Sequence, residues 1–425
     1  MSQLKIGFME SPAPWLCRQE AQTALGLLYL ATVVKEAGYK VQMYKPKRQE
    51  DLMEIAYCDI VCMGGTTLEY PMNVECALAL KNLNPNIKIF TGGAHVTAMG
   101  GDVANIFDRV CIGEGEKDIL LMIKDFENKD ESAYLYVADD DIDINDIPIP
   151  DRELIVGSHG GNIFINHENY QGHGNENFIT SRGCHFSCAF CSSKSIFGGS
   201  VRYRNADNIE TELRAIADST VVRQLRICDD NFTSNRTRLK TICELLKKYG
   251  FVWRCSARAE SLSKETCEIL KEGGCKEVSV GIESGDQRVL DFMNKKTNTG
   301  KMMEGCANAK EAGIKVRALF MIGTPGETLD TPEVNKRYID RLDFDLITLS
   351  TFIPLPGTDI WNSPEKYNCE IVSTDFTKYN KDYYQAGEVR KYNPLIRNQS
   401  LTLEEQIGNV KRMEYYVEKH QVNKG

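Results

Sequence analysis

The chain has 425 residues, 42% of them apolar and 26% charged, with a net charge of −9. That length and composition indicate a globular protein of two or three domains, and exclude a disordered chain, a collagen-like repeat and a small disulfide scaffold. The negative charge argues against general nucleic-acid or anionic-membrane binding, no apolar run reaches bilayer length, and MSQLKIGFMESPAPW lacks the layout of a secretion leader, so a cytoplasmic location is expected.

Residues 1–127 alternate strand and helix signals. LKIGFM (4–9), YKVQMY (39–44), CDIVCMGG (58–65), NIKIFTGG (86–93) and RVCIGEGE (109–116) read as strands. Helical stretches fall at about Gln22 to Ala37, stopped by Gly38, at Pro71 to Leu83 and at Lys117 to Phe126. Such alternation implies a doubly wound parallel sheet, with ligands bound at glycine-rich strand ends. Residues 128–176 turn polar and acidic, with Pro148 and Pro150, and read as an inter-domain linker.

From 177 to 358 the alternation restarts. Candidate strands are NFITSR, QLRICDD, FVWRCSAR, CKEVSVGIE, KVRALFMIG and FDLITLSTF, with helices beginning near Asp207, Arg236, Lys264, Lys301 and Pro332. Six repeats fit a partial (β/α)6 barrel, whose site would form at the C-terminal strand ends. Residues 359–425 form an extension. Thr402 and Glu405 make a capping box for a helix over 400–419, expected to pack across the barrel mouth. The fold class expected is α/β throughout, with a helical tail.

Of fifteen cysteines, Cys17, Cys58, Cys62, Cys76, Cys111, Cys243, Cys267, Cys275, Cys306 and Cys369 are scattered singly, as buried small hydrophobes in a reducing compartment would be. Only Cys184, Cys188 and Cys191 are dense, in SRGCHFSCAFCSSKSIFGG. Three thiolates in one loop converge on one metal centre. Structural zinc prefers four ligands, with His185 as the candidate fourth. A [4Fe–4S] cluster on three cysteines keeps one iron open for chemistry.

The spacing C-x3-C-x2-C after a first barrel strand resembles the signature of radical S-adenosylmethionine (SAM) enzymes. ICDDNF (227–232), CSARAE (255–260), GIESG (281–285), MIGTPGET (321–328) and PLPGT (354–358) follow in order at the later strand ends. The resemblance implies a [4Fe–4S] cluster on Cys184, Cys188 and Cys191. SAM would chelate the open iron and be cleaved to methionine and a 5′-deoxyadenosyl radical, which abstracts hydrogen from a substrate carbon. It also implies Phe190 beside adenine or the cluster, Glu283 and Ser284 near the ribose or methionine part, and backbone of Ile322 and Gly323 against adenine. Arg258 would meet the SAM carboxylate, as a guanidinium fork suits one. Arg258 and Glu283 also suit a structural ion pair. Asp229 and Asp230 read either as a catalytic pair handling protons or substrate, or as a cap for the helix near Arg236. Trp253 reads as core.

A doubly wound domain ahead of this barrel resembles the cobalamin-binding class of that family, through LGLLYLATVVKEAGYKV, CDIVCMGGTT, IFTGGAHVT and VCIGEGE. It implies cobalamin approached by Gly64, Gly65, Thr66, Thr67, Gly92 and Gly93. The D-x-H-x-x-G motif is missing, and His95 is the sole histidine of 1–127. A cobalamin not ligated by histidine is therefore expected. The resemblance points to a cobalamin-dependent C-methyltransferase. A cobalamin-independent radical SAM dehydratase, rearrangement or ring-forming enzyme with a vestigial domain is the alternative. The implied partners are a small-molecule or natural-product substrate and a reductant such as flavodoxin or ferredoxin.

Overall fold

Apolar runs that stop at glycine become parallel strands in the computed structural model, which describes residues 4–14, 23–139, 142–155, 174–218, 222–379 and 394–422. Cys17, the linker residues 156–173 and residues 380–393 of the extension lie outside the described residues. The chain divides into two units, Met1–Glu176 and Asn177–Gly425.

The first unit is built on strands β1 (Lys5–Met9), β2 (Lys40–Tyr44), β3 (Ile60–Gly64), β4 (Lys88–Gly92), β5 (Arg109–Ile112) and β6 (Leu135–Val137). They form one sheet in the order β2-β1-β3-β4-β5-β6, parallel throughout. Because side chains alternate along a strand, β3 sends Ile60 and Cys62 into one core and Val61 and Met63 into another. Helices Leu25–Glu36 and Asp118–Glu127 cover the first face, and Tyr70–Leu83 covers the second. Both faces are buried, which is why these strands read as nearly unbroken apolar runs.

The structure corrects the linker reading of 128–176. Leu135–Val137 is a sheet strand paired with β5, and Ile142, Ile144, Ile147 and Ile155 are buried. Arg109 anchors the return by donating to the carbonyls of Ala133 (3.0 Å) and Asp130 (2.6 Å). A three-residue strand beside an acidic run is too short to show a period of two.

The second sheet has six strands: β7 (Gly174–Phe178), β10 (Val222–Ile227), β11 (Val252–Ala257), β12 (Cys275–Glu283), β13 (Lys315–Ile322) and β14 (Leu346–Thr351). The last five stand where expected, whereas β7 shares only Asn177 and Phe178 with the expected strand 177–182. Between β7 and β10 lies a two-residue antiparallel pair, β8 (Ser181–Arg182) and β9 (Arg202–Tyr203), which the sequence did not announce. The sheet order is β14-β13-β12-β11-β10-β7, an open parallel array. Its helices start where polar caps permit. Asn235, Ser263, Asp286 and Asn298 each accept a backbone N–H at the head of the following helix. Trp253 is core, donating to the Gly273 carbonyl at 2.6 Å.

The extension does two things where one was expected. Helix Leu403–Val422 covers the exposed sheet edge, with Gln421 donating to the Ile347 carbonyl of β14 at 2.7 Å. A short antiparallel pair, β15 (Cys369–Ile371) and β16 (Ile396–Asn398), packs instead on Ala189 of the cysteine loop through Cys369 and Ile396.

Candidate active site

The cysteine loop leaves the sheet after β7 and is tied at its base by the β8–β9 pairing. Gly183 opens it with φ +93°, and a Cβ there would stand 2.2 Å from the Ser200 carbonyl oxygen, so only glycine fits. Further along, Ala189 N–H donates to the Met293 carbonyl (3.0 Å), Ile360 N–H to the Ala189 carbonyl (3.1 Å) and Asn294 Nδ2 to the Ser187 carbonyl (2.8 Å). Two separate segments, the turn at Met293 and Asn294 and the helix start at Ile360, thus fix one loop.

Within it Cys184 and Cys188 are half-buried and Cys191 is exposed. Protein crowds Cys191 even so, and that enclosure pushes its thiol up to about 11. Asp230 shares this character: it is exposed, but the protein around it removes enough water to raise its carboxyl above the usual range. It acts electrostatically on both Cys184 and Cys191, and its Oδ2 accepts from Ser193 at 2.7 Å.

The donor set is three thiols, with His185 exposed beside them. Among the described residues no three His, Cys, Asp or Glu side chains converge on a point suited to one ion. Three thiols of one loop suffice for a [4Fe–4S] cluster that keeps one iron open, and are one ligand short of a structural zinc site.

The two aspartates have different jobs, which corrects their reading as a pair. Asp229 is 2% exposed and its carboxylate accepts from Thr180 N (2.7 Å), Thr180 Oγ1 (2.5 Å) and Ser181 Oγ (2.5 Å). All of its capacity goes to fixing the start of the cysteine loop. Neither aspartate caps the helix at Arg236; Asn235 does. Of the two, only Asp230 is exposed, and its charge acts on Cys184 and Cys191.

Arg258 also departs from expectation. Its fork is closed on Glu260 (Nε 2.9 Å, Nη2 2.6 Å) and on the Lys295 carbonyl (2.7 Å), its Nη1 reaches Cys188 Sγ at 3.6 Å, and it stacks 3.8 Å from the Phe186 ring centre. Its partner is Glu260 rather than Glu283. Glu283 pairs with Lys295, Nζ to Oε1 at 2.9 Å. Ser284 is buried, bonded to Asn335 Oδ1 (3.0 Å) and to Asp286 N–H (3.1 Å), and so is turned away from the strand-end rim. The Ile322 carbonyl accepts from Phe352 N–H at 2.8 Å, and Gly323 N–H serves the buried Glu327. Phe190 is half-buried against the apolar cluster of Ala189, Phe352 and Ile360, with Lys295 Nζ 5.9 Å from its ring centre.

Sequence reasoning missed Lys295, Phe186 and Glu260. The only trace of Lys295 was its place in FMNKKTN, between the GIESG strand end and the next helix, where a lysine pair reads as solvated charge.

In the first unit the strand ends meet backbone to backbone. Gly64 pairs with Gly92 across β3 and β4; a Cβ on Gly64 would lie 2.8 Å from the Gly92 oxygen. Gly93 has φ +89°, and its Cβ would lie 2.9 Å from Gly65 N. The four glycines are thus needed first by the loops themselves. The resulting rim, continued by Gly113 and Gly115, carries few side chains. Thr66 is exposed on it, whereas Thr67 is buried and its Oγ1 lies 3.1 Å from His95 Nδ1. His95 is 2% exposed and stacked 4.0 Å from Tyr70, and burial lowers its pKa to about 4. It is a neutral core imidazole. A rim of glycines lets a broad cofactor approach the backbone at strand ends.

Residues 178–338 match the family model of the radical SAM superfamily, and residues 16–120 match the B12-binding domain. An uncharacterised methyltransferase of Pyrococcus horikoshii is 28% identical over 383 residues, 84% of this chain and 81% of that protein. The anaerobic magnesium-protoporphyrin IX monomethyl ester cyclase of Cereibacter sphaeroides is 26% identical over 383 residues, 83% of this chain and 61% of that protein. Among solved structures, the radical SAM methyltransferase TsrM of Kitasatospora setae, with cobalamin and a [4Fe–4S] cluster bound, superposes with a TM-score of 0.70 at 14% identity. That likeness covers 98% of this chain and 91% of TsrM, and shows the shared fold. No helix among the described residues is long and apolar enough to cross a membrane.

Proposed function

We propose that this chain, whose residues 178–338 match the radical SAM superfamily and 16–120 the B12-binding domain, is a cobalamin-dependent C-methyltransferase. The observation that carries this is the presence in one chain of a three-thiol loop at the strand ends of the second unit and a glycine-rimmed B12-type domain. A [4Fe–4S] cluster on Cys184, Cys188 and Cys191 would supply the electron that splits SAM into methionine and a 5′-deoxyadenosyl radical, and cobalamin would supply the methyl group.

The chain's own residues do the rest. The loop, fixed by Asp229, Met293 and Asn294, holds the three thiols that would carry the cluster. Glu283 offers a carboxylate to the ribose or methionine part of SAM, and Phe190 walls the adenine side. Arg258, engaged with Glu260, braces the loop. Asp230 accepts or positions a proton near the substrate. In the first unit, Gly64, Gly65, Gly92 and Gly93 let the corrin approach backbone, and Thr66 offers a hydroxyl.

A small-molecule or natural-product substrate suits the enclosed site. A flavodoxin or ferredoxin would deliver the electron. The buried unpaired thiols of the described residues suit the reducing cytoplasm. The cyclase relative favours a second reading, a radical-initiated ring closure or rearrangement without methyl transfer.

The test is anaerobic reconstitution with iron and sulfide, with and without cobalamin, followed by analysis of SAM products. S-adenosylhomocysteine formed beside 5′-deoxyadenosine, and only with cobalamin, is expected. 5′-Deoxyadenosine alone, indifferent to cobalamin, would establish the second reading.

A further inference from the structure

Residues 293–296, which follow helix Gln287–Phe292, contact the cysteine loop, Arg258 and Glu283. The Met293 carbonyl accepts from Ala189 in the cysteine loop, and Asn294 Nδ2 donates to Ser187 in the same loop. The Lys295 and Lys296 carbonyls accept from Arg258 Nη2 at 2.7 and 3.3 Å. Asn294 and Lys296 hold left-handed φ values of 53° and 50°, unusual for non-glycine residues, so the turn keeps its shape against a local cost.

Between those two residues, Lys295 points its side chain inward. The residue is 4% exposed, which is rare for lysine unless it is paired. Its ammonium donates to Glu283 Oε1 at 2.9 Å and to the Gly281 carbonyl at 2.8 Å. Glu283 itself sits at φ +61°, at a register shift between Gly281 and Glu283 against β13. A glutamate left free there would relax both backbone and side chain.

We propose that Lys295 is a positioning residue. Its ammonium pins the Glu283 carboxylate by one oxygen and the strand-end carbonyl behind it, which leaves Oε2 as the fixed acceptor for a hydroxyl or ammonium of SAM. Through its own carbonyl, Lys295 also couples that carboxylate to Arg258 and Cys188, so the distance from ligand clamp to cluster loop is set by one turn. This role rests on the reading of the rim as the SAM site.

The test uses full-length protein loaded with iron and sulfide, titrated with SAM, and followed by the change SAM causes in the electron paramagnetic resonance spectrum of the reduced cluster. Lys295→Met and Glu283→Gln should each load iron like the wild type but bind SAM roughly tenfold or more weakly, the scale of one lost charge-assisted hydrogen bond. The double variant should bind no worse than the weaker single one, because the two groups act as a unit. Wild-type affinity in Lys295→Met, or losses that multiply in the double variant, would overturn the role. If Lys295→Met fails to load iron, Glu283→Gln decides: unchanged SAM affinity there overturns the role. A wild-type protein whose cluster does not respond to SAM would overturn the functional reading, and this role with it.

Discussion

The two sheets place their sites at the same end of their strands and build them in opposite ways. The rim of the first unit is made by leaving side chains out: Gly64, Gly65, Gly92 and Gly93 let loops touch, and the polar groups nearby, Thr67 and His95, turn inward to each other. The rim of the second unit is made by interlocking side chains: Asp229 to Thr180 and Ser181, Arg258 to Glu260, Lys295 to Glu283. A site built by omission tolerates no additions. A site built from a polar network tolerates few deletions, since each removed partner strands another buried group.

The largest expected contrast lies within the aspartate pair. Asp229→Ala strands three buried donors and should cost about 2–4 kcal/mol, with loss of iron from the loop. Asp230→Asn should cost less than about 1 kcal/mol and keep the iron, while lowering turnover. Anaerobic thermal unfolding with iron analysis checks both; equal losses would erase the division between them.

In the first unit, burial holds His95 near 4, below the 6.5 of the unfolded chain. The unfolded chain therefore takes up the proton first, so stability falls as pH drops from about 6.5 towards 4, by up to about 3 kcal/mol. His95→Asn should lose this component. The stability gap between wild type and variant should narrow over that range, as denaturant titrations at several pH values would show. A constant gap would mean that His95 is not buried as a neutral ring.

A smaller effect is expected at Gly93. An added Cβ meets Gly65 N at 2.9 Å in a left-handed residue, so Gly93→Ala should cost about 1–3 kcal/mol. Cobalamin retention should fall while the iron content of the second unit stays unchanged. Parallel loss of both cofactors would show that the two rims are not independent.

Much of this architecture was legible because apolar runs ending in glycine carry their own boundaries: five strands of each sheet stand where the residues placed them, whereas the run 177–182 is split between β7 and β8. What escaped was short or relational. Leu135–Val137 and the β15–β16 pair are three-residue strands with no period to read. The cysteine loop was unmistakable because its spacing is local. The separate duties of Asp229 and Asp230, the engagement of Arg258 with Glu260, and the inward turn of Lys295 depend on partners 2 to 49 residues away. No adjacent pattern records such partners.

The most direct test of the central claim is product analysis of SAM after incubation with anaerobically reconstituted, reduced wild-type protein and its Cys188→Ser variant. The wild type should yield 5′-deoxyadenosine and the variant none. SAM recovered intact from wild-type protein that carries a complete four-iron cluster would contradict the assignment of an open iron to the loop of Cys184, Cys188 and Cys191.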